Sequence, residues 1–321
     1  MNKRPLGSTG LEIAPMVFGG NVFGWTIDQP TSFALLDRFA DAGFNAVDTA
    51  DAYSTWVPGN KGGESETILG NWFKASSVRR EKIVIITKVG ARLAEDKKGL
   101  SARYIEAAAE DSLRRLKTDY IDLYLSHYPD EETPVEETLR AYENLIQQGK
   151  VKAIGASNHN AAQLREALAM ASKKGLPRYE VLEPEYNLYD RSSYEGKLRD
   201  LCLEEHLGVI TYYGLASGFL SGKYRSPDDL EKSVRGQGIS KYLNKRGFRI
   251  LDALDTVASA HHVTPAEVAL AWLMAQKGVT APIASATSIQ QLDSLIRAAH
   301  IKLLAPDVDL LTAASEQDQG A

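Results

Sequence analysis

Short apolar runs alternate with amphipathic segments along most of the chain. Apolar runs bounded by glycine or polar residues predict buried strands, and segments with apolar residues three and four positions apart predict helices. The predicted strands are residues 16–18, 44–47, 83–87, 120–125, 151–156, 180–182, 209–212 and 281–283. The helices predicted after them are residues 31–43, 64–74, 101–116, 134–149, 160–173, 192–206, 243–261 and 288–299.

Eight strand–helix units in this order, without a break in composition, predict a (β/α)8 TIM barrel. We interpret residues 1–321 as a single α/β domain, with an N-terminal β-hairpin over residues 6–13. Extra helices are expected near the C-terminus, over residues 265–276 and after Pro306, before a polar end that should fray. The alternative is an open doubly wound sheet, but neither GxGxxG nor GxxxxGK[ST] follows a strand.

Two helix starts have the sequence of a capping box with proline at the first helical position. They are Thr133-Pro134-Val135-Glu136 and Thr264-Pro265-Ala266-Glu267. Each predicts that the threonine hydroxyl caps the helix that follows.

Charge and composition narrow the class of protein. A net charge of −5 and a pI near 5.8 argue against nucleic-acid binding. No apolar run approaches the roughly 18 residues of a membrane span, and the N-terminus lacks the apolar stretch of a signal peptide. Cys202 is the only cysteine, so no intrachain disulfide can form. We therefore expect a cytoplasmic protein; the oligomeric state stays open.

Chemically capable residues stand at the ends of three successive predicted strands. Asp48 follows the second strand with Tyr53 five positions later, Lys88 follows the third strand, and His127 follows the fourth. The carboxyl ends of the strands of a parallel barrel share one rim, where active sites are built. Taken singly, these residues could be a turn cap, a loop aromatic, a solvated lysine and a core histidine. Their common position favours a shared site.

Together these four side chains suit a reaction at a carbonyl group. A nearby ammonium favours phenolate, so Lys88 is expected to lower the pKa of Tyr53, with Asp48 holding the lysine in place. His127 could donate a hydrogen bond to a carbonyl oxygen. None of the four supplies a hydride, so a reduction needs a nicotinamide cofactor. A metal site is not expected, because the chain has no HExxH or CxxC motif.

Several longer motifs carry a resemblance to the aldo-keto reductases. They are GFNAVDTADAY (residues 43–53), GGESETILG (62–70), DYIDLYLSHYPD (119–130), GKVKAIGASNH (149–159), EYNLYDR (185–191) and GFLSGKY (218–224). The chain is most similar to the bacterial and potassium-channel β-subunit branch of that family. The resemblance implies a catalytic tetrad of Asp48, Tyr53, Lys88 and His127, with Tyr53 as general acid. It also implies a small carbonyl or alcohol substrate.

The resemblance further implies NADPH bound across the open rim of the barrel. The glycine-rich end of the first strand, Gly20 and Asn21, could approach the cofactor closely. The other cofactor positions implied are Ser157, Asn158, Glu183, Tyr212, Leu215, Ser217, Gly218, Lys223, Arg235, Ser285, Thr287 and Gln291. Glu183 replaces a glutamine usual in the family, and Gln291 could instead form a capping box with Ser288. Because basic residues common near Ser285 are absent here, NADH remains an alternative cofactor.

The predicted substrate pocket is aromatic, formed by Trp25, Trp56, Tyr128 and Tyr213. Such a pocket suits aryl aldehydes or sugars. The function predicted is reversible reduction of an aldehyde or ketone. The alternative is a regulatory protein that uses a bound nicotinamide cofactor as a redox sensor, with slow or single turnover.

Overall fold

A small antiparallel hairpin precedes the main sheet. In the computed structural model, which describes residues 2–317 apart from the side chain of Gln237, the hairpin pairs β1 (Arg4–Pro5) with β2 (Glu12–Ile13). The polar C-terminal end that was predicted to fray includes residues 318–321, which lie outside the described range.

Eight further strands form a closed barrel in which all neighbours are parallel. They are β3 (Val17–Gly19), β4 (Ala46–Asp48), β5 (Val84–Val89), β6 (Ile121–Ser126), β7 (Val151–Ser157), β8 (Val181–Glu183), β9 (Gly208–Thr211) and β10 (Ala281–Ala284). The strands follow chain order around the barrel, and β10 closes it by pairing with β3. The predicted (β/α)8 barrel with an N-terminal hairpin is confirmed.

Helices surround the barrel, and the extra ones lie near the C-terminus as expected. They are α1 (Gln29–Asp41), α2 (Glu64–Ala75), α3 (Ala102–Leu116), α4 (Val135–Gln147), α5 (Ala161–Lys174), α6 (Lys197–Glu204), α7 (Lys245–His261), α8 (Pro265–Ala275), α9 (Ile289–Ala298) and α10 (Ala305–Ala314). The long segment between β9 and α7 contains three 3-10 helices, Ala216–Ser221, Pro227–Lys232 and Gly236–Tyr242.

One of the two capping boxes is present and the other is not. The Thr264 hydroxyl accepts a hydrogen bond from the backbone N–H of Glu267, and the Glu267 side chain accepts one from the backbone N–H of Thr264. Thr133 instead donates its hydroxyl to Asp130, 2.7 Å away, and Pro134 occupies the cap position of α4 without a side-chain bond. The prediction for Thr133 was wrong: α4 begins one residue later than predicted, with Pro134 at its cap, and the Thr133 hydroxyl bonds to a carboxylate outside the motif.

Alternate residues of the strands fill the inside of the barrel. Val17, Ala46, Ile86, Leu123 and Ile210 belong to this inner cluster, which is separate from the larger layer between strands and helices. The period of two along each strand produces these two layers. The next inward position after the inner cluster therefore lies at the carboxyl end of the barrel.

The hairpin covers the opposite end. Leu6 and Ile13 are fully buried and belong to the inner cluster. Gly7, with φ of +58°, lies so close to Gly208 that a Cβ there would be 2.5 Å from its backbone nitrogen. Asn45 ties the two parts together, accepting from the N–H of Ala14 and donating to a hairpin carbonyl. Only the carboxyl end is left open for a site.

Candidate active site

Three of the predicted site residues continue the inward-facing series of their strands. Asp48 stands two positions after Ala46, Lys88 two after Ile86, and His127 two after Leu125. β5 extends to Val89, so Lys88 lies within the strand and not after it. The strand period thus points these side chains inward just above the apolar interior.

Asp48, Lys88 and Tyr53 form one hydrogen-bonded network. The Lys88 ammonium donates to Asp48, to the Tyr53 hydroxyl at 2.8 Å and to the carbonyl of Thr49 at 3.0 Å. The Tyr53 hydroxyl donates to the second carboxylate oxygen of Asp48 at 2.7 Å. Asp48 and Lys88 are almost completely buried. The phenol is therefore held between a buried ammonium and a buried carboxylate, while the Tyr53 side chain itself stays partly exposed.

Tyr53 does not have the lowered pKa expected from its lysine neighbour. Burial raises the pKa of the Tyr53 phenol well above its usual value, and the carboxylates of Asp48 and Glu183 raise it further. Burial alone would lower the pKa of Lys88, but the same two carboxylates more than offset this and raise it. Burial and the Asp48 carboxylate, to which the phenol donates, outweigh the lysine, so the phenol keeps its proton.

His127 lies beside Tyr53 as a neutral imidazole. The two ring centroids are 6.2 Å apart. Burial, followed by the charge of Lys88, lowers the pKa of His127 to about 3. Its Nδ1 is buried and has no hydrogen-bond partner among residues 2–317. A neutral imidazole carries one N–H and one acceptor nitrogen, so the ring can still donate one hydrogen bond.

Four predicted cofactor residues meet at the ends of β7, β8 and β9. Ser157 donates to the carbonyl of Glu183 at 2.9 Å, and Asn158 donates to Ser157 at 3.1 Å. The Tyr212 hydroxyl donates to the side-chain oxygen of Asn158 at 2.7 Å. Asn158 has a φ of +59°, an unusual conformation for a non-glycine residue. These side chains form a polar wall directly beside the Lys88 network.

A second group of predicted cofactor residues lies at the carboxyl ends of β3 and β10. Ser285 donates to Asn21 at 2.6 Å, and a Cβ at Gly20 would be 2.8 Å from the carbonyl of Asp48. The side-chain oxygen of Gln291 accepts from the N–H of Thr287 at 2.9 Å. Ser288 caps the first turn of α9, but the Gln291 side chain does not return the bond. Gln291 therefore stabilises the loop before α9.

The remaining predicted cofactor positions lie in the segment after β9. Leu215 precedes the backbone turn at Ser217 and Gly218, which have φ values of +58° and +102°. Gly218 is close to Lys223, whose ammonium would lie 4.0 Å from a Cβ on that glycine. The half-buried guanidinium of Arg235 lies 4.9 Å from the centre of the Trp25 ring. Arg235 thus contacts the aromatic side of the opening.

Each of the four predicted pocket aromatics contacts another ring at the open end of the barrel. Trp25 meets Trp56 edge to face at 5.4 Å, and Trp56 lies 6.3 Å from Tyr53. Tyr128 stacks on the ring of His127 at 4.7 Å, and Tyr213 contacts Tyr212. Within residues 2–317, Trp56, Tyr128 and Tyr213 are the large aromatic side chains that remain about half exposed. Exposed aromatics collect at this opening.

Known proteins match this chain over nearly its whole length. The model of the aldo/keto reductase family matches residues 15–316. The chain belongs to the aldo/keto reductase family. It is 34% identical over 305 residues to the uncharacterized oxidoreductase YrpG of Bacillus subtilis, covering 93% of this chain and 91% of that protein.

Two other relatives illustrate the range of this similarity. A probable voltage-gated potassium channel subunit beta of Oryza sativa subsp. japonica is 34% identical, over 96% of this chain and 94% of its own. Protein tas of Escherichia coli is 29% identical, over 92% of each chain. This aldo/keto reductase is therefore an oxidoreductase of carbonyl substrates, and its family uses NADPH or NADH.

The polar groups at the opening fit such a dinucleotide. Oε2 of Glu183 and Nδ1 of His127 are buried without partners in the described part of the chain. The open turn at Ser217 and Gly218 stands beside the ammonium of Lys223. A buried polar wall suits an amide-bearing ring, and an open turn next to a cation suits phosphate.

Sequence reasoning missed two contacts of this site. Oε1 of Glu183 lies 3.3 Å from the Lys88 ammonium, which makes it a second carboxylate of the network. The carbonyl of Thr49 is a further acceptor for the same ammonium. No local signal in the sequence shows either contact: the first requires β8 to approach β5 across the closed barrel, and the second requires the pairing of β4 with β5.

Residues 2–317 show neither a metal-binding cluster nor a membrane-spanning helix. Residues 2–317 contain no cluster of three or more histidine, cysteine, aspartate or glutamate side chains arranged to hold a metal ion. No helix within that range is long and apolar enough to cross a membrane. Cys202, the single cysteine, is buried in α6.

Proposed function

We propose that this protein is an NADPH-dependent reductase that converts an aldehyde or ketone to the alcohol, reversibly, with Tyr53 as the general acid. The observation that carries the proposal is the hydrogen-bonded network of Asp48, Lys88 and Tyr53 at the open end of the barrel. Bound NADPH would supply the hydride. We also propose that residues 1–321 act as a single domain.

In this proposal Tyr53 donates its proton to the carbonyl oxygen as that oxygen gains negative charge. The raised pKa of the phenol keeps the proton in place until a substrate arrives. Lys88 then stabilises the phenolate that is left, because its ammonium is 2.8 Å from the phenol oxygen. Asp48 orients the lysine, and neutral His127 offers its N–H to the substrate oxygen.

The polar wall and the segment after β9 would hold the cofactor. Ser157, Asn158 and Glu183 would contact the carboxamide, and Tyr212 would stack on the nicotinamide ring. The phosphates would lie along Leu215, Ser217, Gly218 and Lys223, with Gly20, Asn21, Ser285, Thr287 and Gln291 lining the adenosine side. Arg235 and Lys223 are the cations proposed for the 2′-phosphate.

The aromatic opening favours a flat or partly apolar substrate. Trp25 and Trp56 stand on one side of Tyr53, and Tyr128 and Tyr213 lie on the side of His127 and Tyr212. Half-exposed aromatic rings can stack on aryl groups and on the apolar faces of sugars. We propose aryl aldehydes and sugars as the substrate classes to test first.

A regulatory role is the second candidate, because a similar plant protein is named as a probable potassium channel β-subunit. Such a protein would hold its cofactor for a single slow turnover. His127 favours the enzyme, because channel subunits usually have asparagine at this position. Multiple turnovers per protein molecule would support the reductase, and one stoichiometric turnover would support the sensor.

The cofactor is tested by titrating the protein with NADPH and separately with NADH, following tryptophan fluorescence. Trp25 and Trp56 at the opening provide the signal. Tighter binding of NADPH is expected if Arg235 or Lys223 contacts the 2′-phosphate. Equal binding would show that neither residue does so, and absence of binding by calorimetry would overturn the proposed cofactor.

The acid is tested with Tyr53→Phe, assayed on a panel of aryl aldehydes and sugars. Loss of the proton donor should lower kcat by about 10²- to 10⁴-fold, while the dissociation constant of NADPH should change little because the ring remains. Tyr120→Phe is the matched control, since Tyr120 precedes β6 at the opposite end of the barrel. Unchanged turnover in Tyr53→Phe would remove Tyr53 from the mechanism.

A further inference from the structure

Glu183 is a buried carboxyl group that the proposed proton transfer does not use. It is the last residue of β8, only 2% exposed, and its Oε1 lies 3.3 Å from the Lys88 ammonium. Its other oxygen, Oε2, is buried and has no hydrogen-bond partner among residues 2–317. The backbone of Glu183 is fixed, because its carbonyl accepts from Ser157. The side chain is thus held at the polar wall with one oxygen unused.

Glu183 shares a single ammonium with Asp48. Asp48 makes the shorter contact to Lys88 and also accepts the Tyr53 hydroxyl, so it is the better-stabilised carboxylate. Two carboxyl groups at one cation cannot both ionise without leaving a buried negative charge uncompensated. The proton that neutralises this excess belongs on Glu183, the carboxyl with the longer contact.

The environment of Glu183 agrees with this assignment of the proton. Burial raises the pKa of Glu183 to about 8, the charge of Asp48 and a hydrogen bond between the two carboxyl groups raise it as well, and Lys88 opposes these effects. A protonated carboxyl group has one O–H donor and one acceptor oxygen. It therefore offers the same two functions as an amide side chain, which an ionised glutamate does not.

We propose that Glu183 acts as a neutral carboxylic acid that donates its O–H to the carboxamide of the nicotinamide cofactor, and that its ionisation sets the alkaline limit of cofactor binding. The proposal rests on the proposed function, since it assumes a nicotinamide cofactor. It makes Glu183 a positioning residue. Ser157, Asn158 and Tyr212 surround it and would hold the rest of the ring.

The pH dependence follows from the groups that face Glu183. The charged or titratable side chains that influence it are Asp48 from β4, Tyr53 from the loop after β4, Lys88 from β5 and Tyr212 after β9. Tyr53, Tyr212 and Lys88 all have raised pKa values, so they keep their protons as Glu183 ionises. Glu183 is then the group of this cluster that titrates on mild alkalinisation. Ionisation removes its donor and leaves two carboxylates at one ammonium.

The test compares the wild-type protein with Glu183→Gln, which keeps the shape and the donor but cannot ionise. Infrared difference spectra of the cofactor-free protein, recorded across the pH range, detect the protonated carboxyl directly. In a separate titration, the dissociation constant of NADPH is measured at each pH. Glu180→Gln is the matched control, because Glu180 immediately precedes β8, beside the hairpin at the end of the barrel opposite the proposed site. Glu183→Met replaces Glu183→Gln if the latter does not fold.

The wild-type protein should show a protonated carboxyl band at neutral pH that disappears near pH 8, the pKa of Glu183, and that is absent in Glu183→Gln. Its NADPH dissociation constant should rise about tenfold per pH unit above that point, whereas Glu183→Gln should show no such rise. Glu180→Gln should behave as the wild type does.

Each contrary result has its own meaning. If no protonated band is assigned to Glu183 at neutral pH, the proposal is wrong. If the band is present but wild type and Glu183→Gln share one pH dependence of binding, Glu183 does not contact the cofactor. If the wild-type protein binds neither NADPH nor NADH at any pH, the proposed function itself fails.

Discussion

Removing the ammonium of Lys88 is the sharpest test of how the centre of this site is balanced. In Lys88→Met the buried Asp48 loses its cation, while the methionine retains most of the side-chain volume. Lys88 is 0% exposed and contacts Asp48, Glu183, Tyr53 and the carbonyl of Thr49. Breaking a buried ion pair on one side costs about 3–5 kcal/mol. We expect the free energy of unfolding to fall by about this amount at neutral pH.

The size of this loss should depend on pH, and its sign follows from Asp48. Burial already raises the pKa of Asp48 against the opposing charge of Lys88, so without the lysine the pKa must rise further. A folded state whose carboxyl pKa is raised binds more protons than the unfolded state, and its stability falls as pH rises. The difference in the free energy of unfolding between wild type and Lys88→Met should therefore increase by up to about 1.4 kcal/mol for each unit by which the pH rises.

Urea denaturation measures both the loss in the free energy of unfolding and its dependence on pH. The experiment is repeated at several pH values between about 5 and 8, which lie between the usual carboxyl pKa and that of a perturbed carboxyl. Lys152→Met is the control, because Lys152 pairs with Asp122 at 2.8 Å but its side chain is 46% exposed. That variant should lose at most about 1 kcal/mol. If Lys88→Met were equally destabilised at all pH values, or no more than Lys152→Met, the carboxylates would not depend on Lys88 as argued.

Two further predictions concern other buried groups of the open end. Asp51→Asn should stabilise the protein at neutral pH and lose this advantage as the pH falls towards 4, the usual carboxyl pKa. Asp51 is 1% exposed, and neither of its carboxylate oxygens has a hydrogen-bond partner within residues 2–317. Burial, followed by the charge of Glu66, raises its pKa well above the usual value. If urea denaturation showed no gain in the free energy of unfolding at neutral pH, this prediction would be contradicted. Because the pKa of His127 is lowered to about 3, a plot of turnover against pH should show no transition at the usual histidine pKa near 6.5. A transition near pH 6.5 that disappears in His127→Gln would show instead that the imidazole becomes charged.

The helix boundaries show where local sequence information is sufficient. Thr264 and Glu267 satisfy each other's capping bonds within one turn, so their spacing alone predicted the start of α8. The equivalent pattern at Thr133 failed because α4 begins one residue later, with Pro134 at its cap, and the Thr133 hydroxyl bonds to Asp130 instead. The predicted helix over residues 192–206 is shortened at its start, since α6 begins only at Lys197, after Gly196 with a φ of +81°.

The sequence alone determined the order of strands and helices and the positions at which polar groups interrupt the inward-facing series. A strand has a period of two, so Asp48 follows Ala46 and Lys88 follows Ile86 on one face in any fold that keeps these strands. The sequence could therefore nominate Asp48, Lys88 and His127 as neighbours before any contact was known.

Only the tertiary structure decided the electrostatic state of those neighbours. β8 carries Glu183 to within 3.3 Å of Lys88, although the two residues are 95 positions apart in the sequence. Burial of the phenol, followed by the charge of Asp48, reverses the expected lowering of the Tyr53 pKa. Charge interactions depend on distance and burial in space, and neither is encoded in a local pattern of residues. Closure of the barrel sets both.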